Sequence, residues 1–445
     1  MVGAGWAGCA AAVGLAQRGL AVTVVESGTV PGGRARRVTR DGLPLDNGQH
    51  LLLGAYEKVR EALALVHGGD GERGLLARMP LVVAPAGPGL ALRASRLPAP
   101  LGLAIGLLRA GGLSWAERLG AARWFAALRA RGFRVAPGTT VAKLCADGPP
   151  AAARALWTPL CLAALNTPPE QACAQVFANV LRAAFAGAGG ASDYLIPATD
   201  LSALYPEAAL AYVLGRGGSV RLRAIARLVE AADDAVTIEV DEVRERHDAV
   251  ILAVGPHQLA AAAGKVAVLG SALAAAGQLA WEPIATAWLG YEARVRLPAA
   301  ITRLDDAPGQ WAFDRPDVLA RAAPDPARPA LAQLLSVVIS ASGPHDALPP
   351  RELAAACDAQ LRRLLPQLPP LAWSQTIVER RATYACTPDR ARAPSLLPHP
   401  RVALAGDWTD VEYPATLEAA VRSGAAAALA LLAGREGAFQ GGRSE

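Results

Sequence analysis

Lysine is almost missing from this chain. Only Lys58, Lys143 and Lys265 occur among 445 residues, so the net charge of +5 is carried by arginine. The arginines are dispersed, and the compact basic run Arg34-Ala35-Arg36-Arg37 lies inside a glycine-rich turn. Neither feature makes the basic stripe that a nucleic acid needs, and a basic surface facing anionic lipid is the better reading. Aromatic residues are scarce at 5%, Ala dominates a 52% hydrophobic composition, and charged residues make up 19%. That balance describes a globular, helix-rich enzyme of two or three lobes rather than a disordered chain. The six cysteines (Cys9, Cys145, Cys161, Cys173, Cys357, Cys386) include no CxxC pair and no metal-ligand spacing. No metal is expected; the thiols read as small buried hydrophobes in a reducing compartment. No uncharged run reaches the ~20 residues that span a bilayer, the nearest being Leu97 to Leu108 and Ala425 to Ala433. No secretory signal is visible, and a cytoplasmic enzyme is expected.

What is present concentrates at the two ends. Gly3-Ala4-Gly5-Trp6-Ala7-Gly8 opens the chain, followed by a helical stretch from Ala10 to Arg18, a stop at Gly19 and a buried strand from Ala21 to Val25. In such a unit Gly3 permits the tight strand-to-helix turn, and Gly5 lets the backbone approach a pyrophosphate. Gly8 lets the helix pack close to the strand. The first helical residues, Trp6 and Ala7, offer N–H groups and a positive dipole end to the phosphates. Glu26 lies at the tip of the second strand, where a carboxylate can accept both ribose hydroxyls. One departure stands out: about five apolar residues should precede Gly3, and only Met1 and Val2 do. A start upstream of Met1 is the expectation.

Near the other end, Leu404-Ala405-Gly406-Asp407-Trp408-Thr409 runs into Tyr413-Pro414-Ala415-Thr416-Leu417-Glu418. A phosphate cradle at the start and a second polar turn near the end suggest one long redox dinucleotide, with FAD as the working hypothesis. The intervening sequence alternates. Residues 1–60 are βαβ-like, and 61–190 are mostly helical. Strand patterns follow at Gly217 to Leu222, Val236 to Val240 and Asp248 to Val254, and a further block, roughly 266–385, carries strands at Ile284 to Tyr291 and Ala330 to Ile339. The expected fold is α/β. A Rossmann-like FAD-binding domain with a parallel sheet (1–60, 191–265 and 386–435) is interrupted by a mixed α+β substrate domain (61–190 and 266–385), with a flexible tail at 436–445.

These motifs resemble the amine oxidase and phytoene desaturase superfamily of FAD enzymes. Within it the chain is similar to the hydroxysqualene dehydroxylases, the squalene-associated FAD-dependent branch. The resemblance covers nearly the whole chain and includes Asp46-Asn47-Gly48-Gln49-His50-Leu51-Leu52-Leu53-Gly54-Ala55-Tyr56, Leu160 to Thr167, Glu379 to Tyr384, and Ala405 to Gly424. It implies a reductive dehydroxylation in which a long-chain isoprenoid, hydroxysqualene, loses its hydroxyl and gains hydride to give squalene. The electron donor is unspecified, and a separate reductase or ferredoxin is open. A carotenoid or polyprenyl desaturase on the same fold is the alternative. Further off stand a flavin amine oxidase and a prenyl-binding escort without catalysis. The family's amine oxidases commonly place a lysine on a substrate-domain strand, whereas Ile284-Ala285-Thr286-Ala287-Trp288-Leu289 has none.

By the same resemblance Gly32, Gly33, Arg34 and Arg36 form a second cofactor motif beside the pyrophosphate. Gly406 and Asp407 reach the ribityl or pyrophosphate portion, and Thr416 and Leu417 open a helix facing the flavin. Gly48 and His50 lie in a segment beside the isoalloxazine, and an imidazole there could protonate a leaving hydroxyl. Asp46 would hold that turn or orient His50. Trp408, Tyr384 and Tyr413 are open between flavin wall and core. Residues 97–134, with Trp115, Trp124 and Phe125 among arginines, are open between a membrane-contacting segment and a core helix.

Overall fold

A computed structural model describes residues 1–445 apart from 70, 96, 98–100, 188, 392–395 and 442–445. The nucleotide layer is a parallel sheet assembled from pieces far apart in sequence. Thr23–Glu26 pairs with Ser219–Leu222, and Val250–Leu252 pairs with Val402–Leu404. Val2 lies between the two pairs, bridging both Val25 and Leu252 in parallel. The two residues ahead of Gly3 thus occupy the central strand position, with hydrogen bonds from Val2 N to Ile251 O and from Ala253 N to Val2 O. These strands are Val/Ile/Leu-rich because both faces are covered, as a parallel sheet requires.

The helix Trp6–Ala16 is buried along almost its whole length, which explains why it has no polar face. The long helix Leu417–Gly441 crosses it so closely that a Cβ on Gly424 would stand 2.1 Å from Ala7 O. Its segment Leu417–Gly434 is, among the described residues, the one helix long and apolar enough to cross a membrane, and half of it is buried in this packing. The helix runs to Gly441, so the tail expected from 436 is helical over its first residues, while 442–445 lie outside the described residues.

The second layer is a seven-stranded sheet in the order 371–384, 281–291, 333–340, 311–314, 301–303, 82–85 and 92–93. The segment 61–190 is therefore not helical throughout: 82–85 and 92–93 join this sheet's edge, and 76–79 pairs with Tyr194–Pro197. The sheet's period of two separates its faces. Ala285, Val337 and Ile339 point toward the helix Pro350–Leu364, while Ile284, Val338 and Ser340 face a cavity. The helices Leu101–Leu108, Thr158–Leu165 and Ala174–Phe185 close that cavity from the far side. All six cysteines are buried free thiols.

Candidate active site

The two glycine turns of the N-terminal segment are stacked on each other. Gly5 bridges Gly32, Gly32 N donates to Ala4 O at 2.9 Å, and a Cβ on Gly33 would come 3.3 Å from Gly5 Cα. The outcome is a surface of bare backbone at the start of a helix, where first-turn N–H groups have no intrahelical partner. Gly8 has the packing role read from the sequence, since its Cβ would meet Gly3 O at 2.0 Å. Trp6, in contrast, turns its indole inward, donating from Nε1 to Ala35 O and tilting against the Tyr205 ring. Only the backbone of Trp6 and Ala7 faces the phosphate position. Glu26 ends its strand with Oε2 on Ala4 N and Oε1 on Gly28 N. Oε1 also accepts from Ser27 Oγ at 3.4 Å, so Oε2 is the oxygen that keeps a free lone pair for a ribose hydroxyl.

The C-terminal motif comes to the same place. Asp407 Oδ1 accepts from Arg34 Nη2 at 2.6 Å, and Arg34 Nη1 donates to Ala382 O. Arg36 turns back on Gly33 O. Gly406 N is held by Ser423 Oγ, and a Cβ at Gly406 would strike the Trp408 ring at 2.6 Å. Trp408 and Tyr384 are fully buried core residues, whereas Tyr413 lines the cavity. Thr416 caps the last helix through a bond from Ala419 N to its Oγ1, and Thr416 and Leu417 both border the cavity. Glu418, just past them, caps the helix Glu57–His67 by accepting from Lys58 N and Val59 N. Backbone donors, a ribose-level carboxylate, a cation and a helix N-terminus thus line one path, and these residues fit a flavin dinucleotide.

The cavity beyond that path measures about 320 Å³ and is mostly apolar. Its polar end is the turn Asn47-Gly48-Gln49-His50, beside Thr416. His50 Nδ1 lies 2.8 Å from Gly48 O. A carbonyl can only accept, so Nδ1 carries the hydrogen and Nε2 of the neutral ring is left as an acceptor. Burial, reinforced by the Arg34 and Arg315 charges, lowers the imidazole's pKa. The sequence suggested a proton donor here; burial disfavours the protonated ring, and the neutral ring presents Nε2 as a hydrogen-bond acceptor.

Asp46 does not orient His50. Its carboxylate accepts from Leu201 N at 2.8 Å and faces the buried Arg315, with Nη2 at 3.7 Å. Burial pushes Asp46 up to about 7, against the opposing pull of Arg315. Arg315, 1% exposed, donates to Gln49 Oε1 and forms a two-pronged pair with Asp317. Asp46 and Arg315 therefore hold the turn from beneath, which is the other part of the sequence expectation. Residues 46, 201 and 315 have no spacing relation that sequence could reveal.

Two cavity residues received no role from sequence. Asn166 ends the helix Thr158–Leu165 at φ 48°, donating to Thr383 Oγ1 and accepting from Ala341 N, so it ties the closing helices to the sheet. Glu379 is the only carboxyl among the described residues that line the cavity. Its signal was membership of the run Glu379 to Tyr384, on a strand whose alternation turns 379 inward.

The fold and this site define a flavin-dependent oxidoreductase with a mostly apolar cavity beside the cofactor path. Residues 6–432 match the family described as flavin containing amine oxidoreductase, and the chain belongs to that family. Its cofactor is FAD. It is 32% identical to a hydroxysqualene dehydroxylase of Rhodopseudomonas palustris, over 98% of this chain and 98% of that one. A hydroxysqualene dehydroxylase of Sinorhizobium fredii is 29% identical over 96% of both. The crystal structure of an oxidoreductase from Methanosarcina mazei shares the fold, with a TM-score of 0.69 at 14% identity over 96% of this chain and 98% of that chain.

Proposed function

We propose that this protein is an FAD-dependent dehydroxylase that converts hydroxysqualene to squalene. The observation that carries the reading is the apolar cavity ending at a compact polar turn beside the cofactor path, in a chain similar along its length to hydroxysqualene dehydroxylases. The reduced flavin, when bound, supplies hydride to the substrate carbon. The protein's own residues do the rest.

Gly3, Gly5, Gly8, Gly32 and Gly33 bring backbone to the pyrophosphate, with the first-turn N–H groups of Trp6 and Ala7. Arg34 and Arg36 supply positive charge there, Glu26 takes the ribose, and Gly406 with Asp407 takes the ribityl region. Gly48, Thr416 and Leu417 border the flavin ring. His50 accepts a hydrogen bond from the substrate hydroxyl and so fixes its position. Leu53, Leu156, Leu160, Ile284 and Phe313 line the chamber, and exclusion of water there protects an allylic cation. No lysine lines the cavity among the described residues, which weighs against amine oxidation by the family's lysine-dependent route.

The electron donor stays unassigned; a separate reductase or ferredoxin is compatible with a sequence that shows no obvious second nucleotide motif. The substrate enters from an anionic lipid surface. A smaller cavity of about 260 Å³ shares Leu103, Ala184 and Phe185 with the main one and reaches Leu97. Leu97, Leu101, Leu119 and Trp115 are exposed, the last at 70%, and Arg118 lies over the Trp115 ring. Trp124 and Phe125 take no part, since both are buried in the core.

The test is anaerobic. Photoreduced, FAD-loaded protein is mixed with hydroxysqualene, and flavin reoxidation is followed together with squalene. Stoichiometric formation of both supports the dehydroxylase; flavin that stays reduced with no squalene rejects it.

A further inference from the structure

We infer that Glu379 is the acid that protonates the departing hydroxyl. The inference rests on the dehydroxylase reading and adds the group that this reading lacks. His50 and Glu379 flank one turn. Asn47 Nδ2 donates to Glu379 Oε2 at 3.0 Å and to Arg34 O at 3.2 Å, and Gly48, the next residue, carries the carbonyl that holds the His50 ring. Glu379 Oε1 accepts from Arg381 N at 3.2 Å. The carboxyl is therefore fixed at the polar end of the chamber, beside the segment that borders the cofactor path. Ile284, its cross-strand partner, belongs to the same cavity wall.

The chemistry needs such a group. Hydroxide is a poor leaving group, so the C–O bond breaks only as oxygen takes a proton. Of the ionisable groups lining the chamber, the tyrosines Tyr56, Tyr194 and Tyr413 are pushed up by burial and are too weak as acids. Arg34 is committed to Asp407 and Ala382 O, Arg303 is paired with Asp306, and His50 presents an acceptor. A carboxylic acid remains. Hydrocarbon filling the chamber excludes water from the Glu379 carboxyl.

The step then balances. The C–O electron pair leaves on oxygen, which takes the Glu379 proton and departs as water. Glu379 becomes a carboxylate facing the allylic cation in a low-dielectric chamber, where opposite charges attract strongly. FAD in its reduced form would supply the hydride that closes the C–H bond, and Glu379 would regain its proton from solvent. The charged and titratable groups around it are His50 across the turn, Arg34 on the second glycine turn, Arg381 on its own strand and His257 on the helix Pro256–Ala263, whose ring senses Arg381, Arg34 and Glu379.

The test compares wild type, Glu379→Gln and Glu379→Asp in the anaerobic single turnover, from about pH 6 to about pH 9. Wild-type turnover should fall about tenfold per pH unit above the acid's pKa. Glu379→Gln should bind FAD with an unchanged spectrum, turn over about 10²–10⁴-fold more slowly, and lose the pH dependence. Binding of hydroxysqualene should raise a protonated-carboxyl band in the infrared difference spectrum of wild type and not of Glu379→Gln. If Glu379→Gln fails to hold FAD, the wild-type band and the Glu379→Asp pH profile decide the question: no band and an unaltered profile overturn the assignment. Turnover of Glu379→Gln within about threefold of wild type also overturns it, while squalene formed by wild type keeps the dehydroxylase reading intact. A wild type that forms no squalene removes both.

Discussion

Arg34 Nη2 stands 2.6 Å from Asp407 Oδ1, joining two motifs 373 residues apart. The carboxylate is buried and the guanidinium only partly exposed, so the pair is less screened by solvent than a surface salt bridge. It fixes the second glycine turn against the C-terminal one along the cofactor path.

Arg34→Ala should therefore weaken FAD retention. Loss of a charge-assisted bond to a buried carboxylate costs about 1.5–3 kcal/mol, or roughly 10–150-fold in affinity. Flavin absorbance after gel filtration, titrated back with free FAD, measures this; unchanged affinity would remove Arg34 from the cofactor site.

Two glycines of one helix should respond with opposite sign. At Gly8 a Cβ would lie 2.0 Å from Gly3 O, and Gly8→Ala should cost more than ~3 kcal/mol or abolish folding with bound FAD. At Gly14 the nearest atom is Ala428 Cβ at 3.7 Å, an ordinary contact, so Gly14→Ala should stabilise by about 0.5–1 kcal/mol. Thermal midpoints of the two variants provide the comparison.

His50 should matter as an acceptor. His50→Gln keeps an acceptor and should lose about tenfold in turnover, whereas His50→Leu should lose about a hundredfold, both with FAD retained. Equal losses from the two would show that the ring's polarity is irrelevant.

Asp46 provides a pH signature of stability. Its folded pKa, about 7, lies above the unfolded carboxylate value. The folded state then holds a proton that the unfolded chain has released, so the stabilisation is complete below about pH 4 and is lost as pH rises through about 7. The thermal midpoint of wild type relative to Asp46→Asn should fall between about pH 5 and about pH 8. A constant difference across that range would mean that Arg315 keeps Asp46 ionised throughout.

Much of the fold was legible because its signals are local. The spacing of Gly3, Gly5 and Gly8, the stop at Gly19 and the acid Glu26 all act within one βαβ unit, where neighbours in sequence are neighbours in space. The strand from Ile284 to Tyr291 was readable for the same reason. Sequence missed the edge strands 82–85 and 92–93, since strands this short are made by pairing rather than by propensity.

The sequence by itself determined that a dinucleotide cradle lies at one end of the chain and a second polar turn near the other, since backbone geometry at glycines and a strand-end acid is set residue by residue. Only the tertiary structure decided that Arg34 meets Asp407 and that Arg315 rises beneath Gln49 and Asp46. It alone faces Glu379 and His50 toward one chamber. Those relations join segments far apart in sequence, and burial then shifts the titration of His50 and Asp46, which no spacing along the chain encodes.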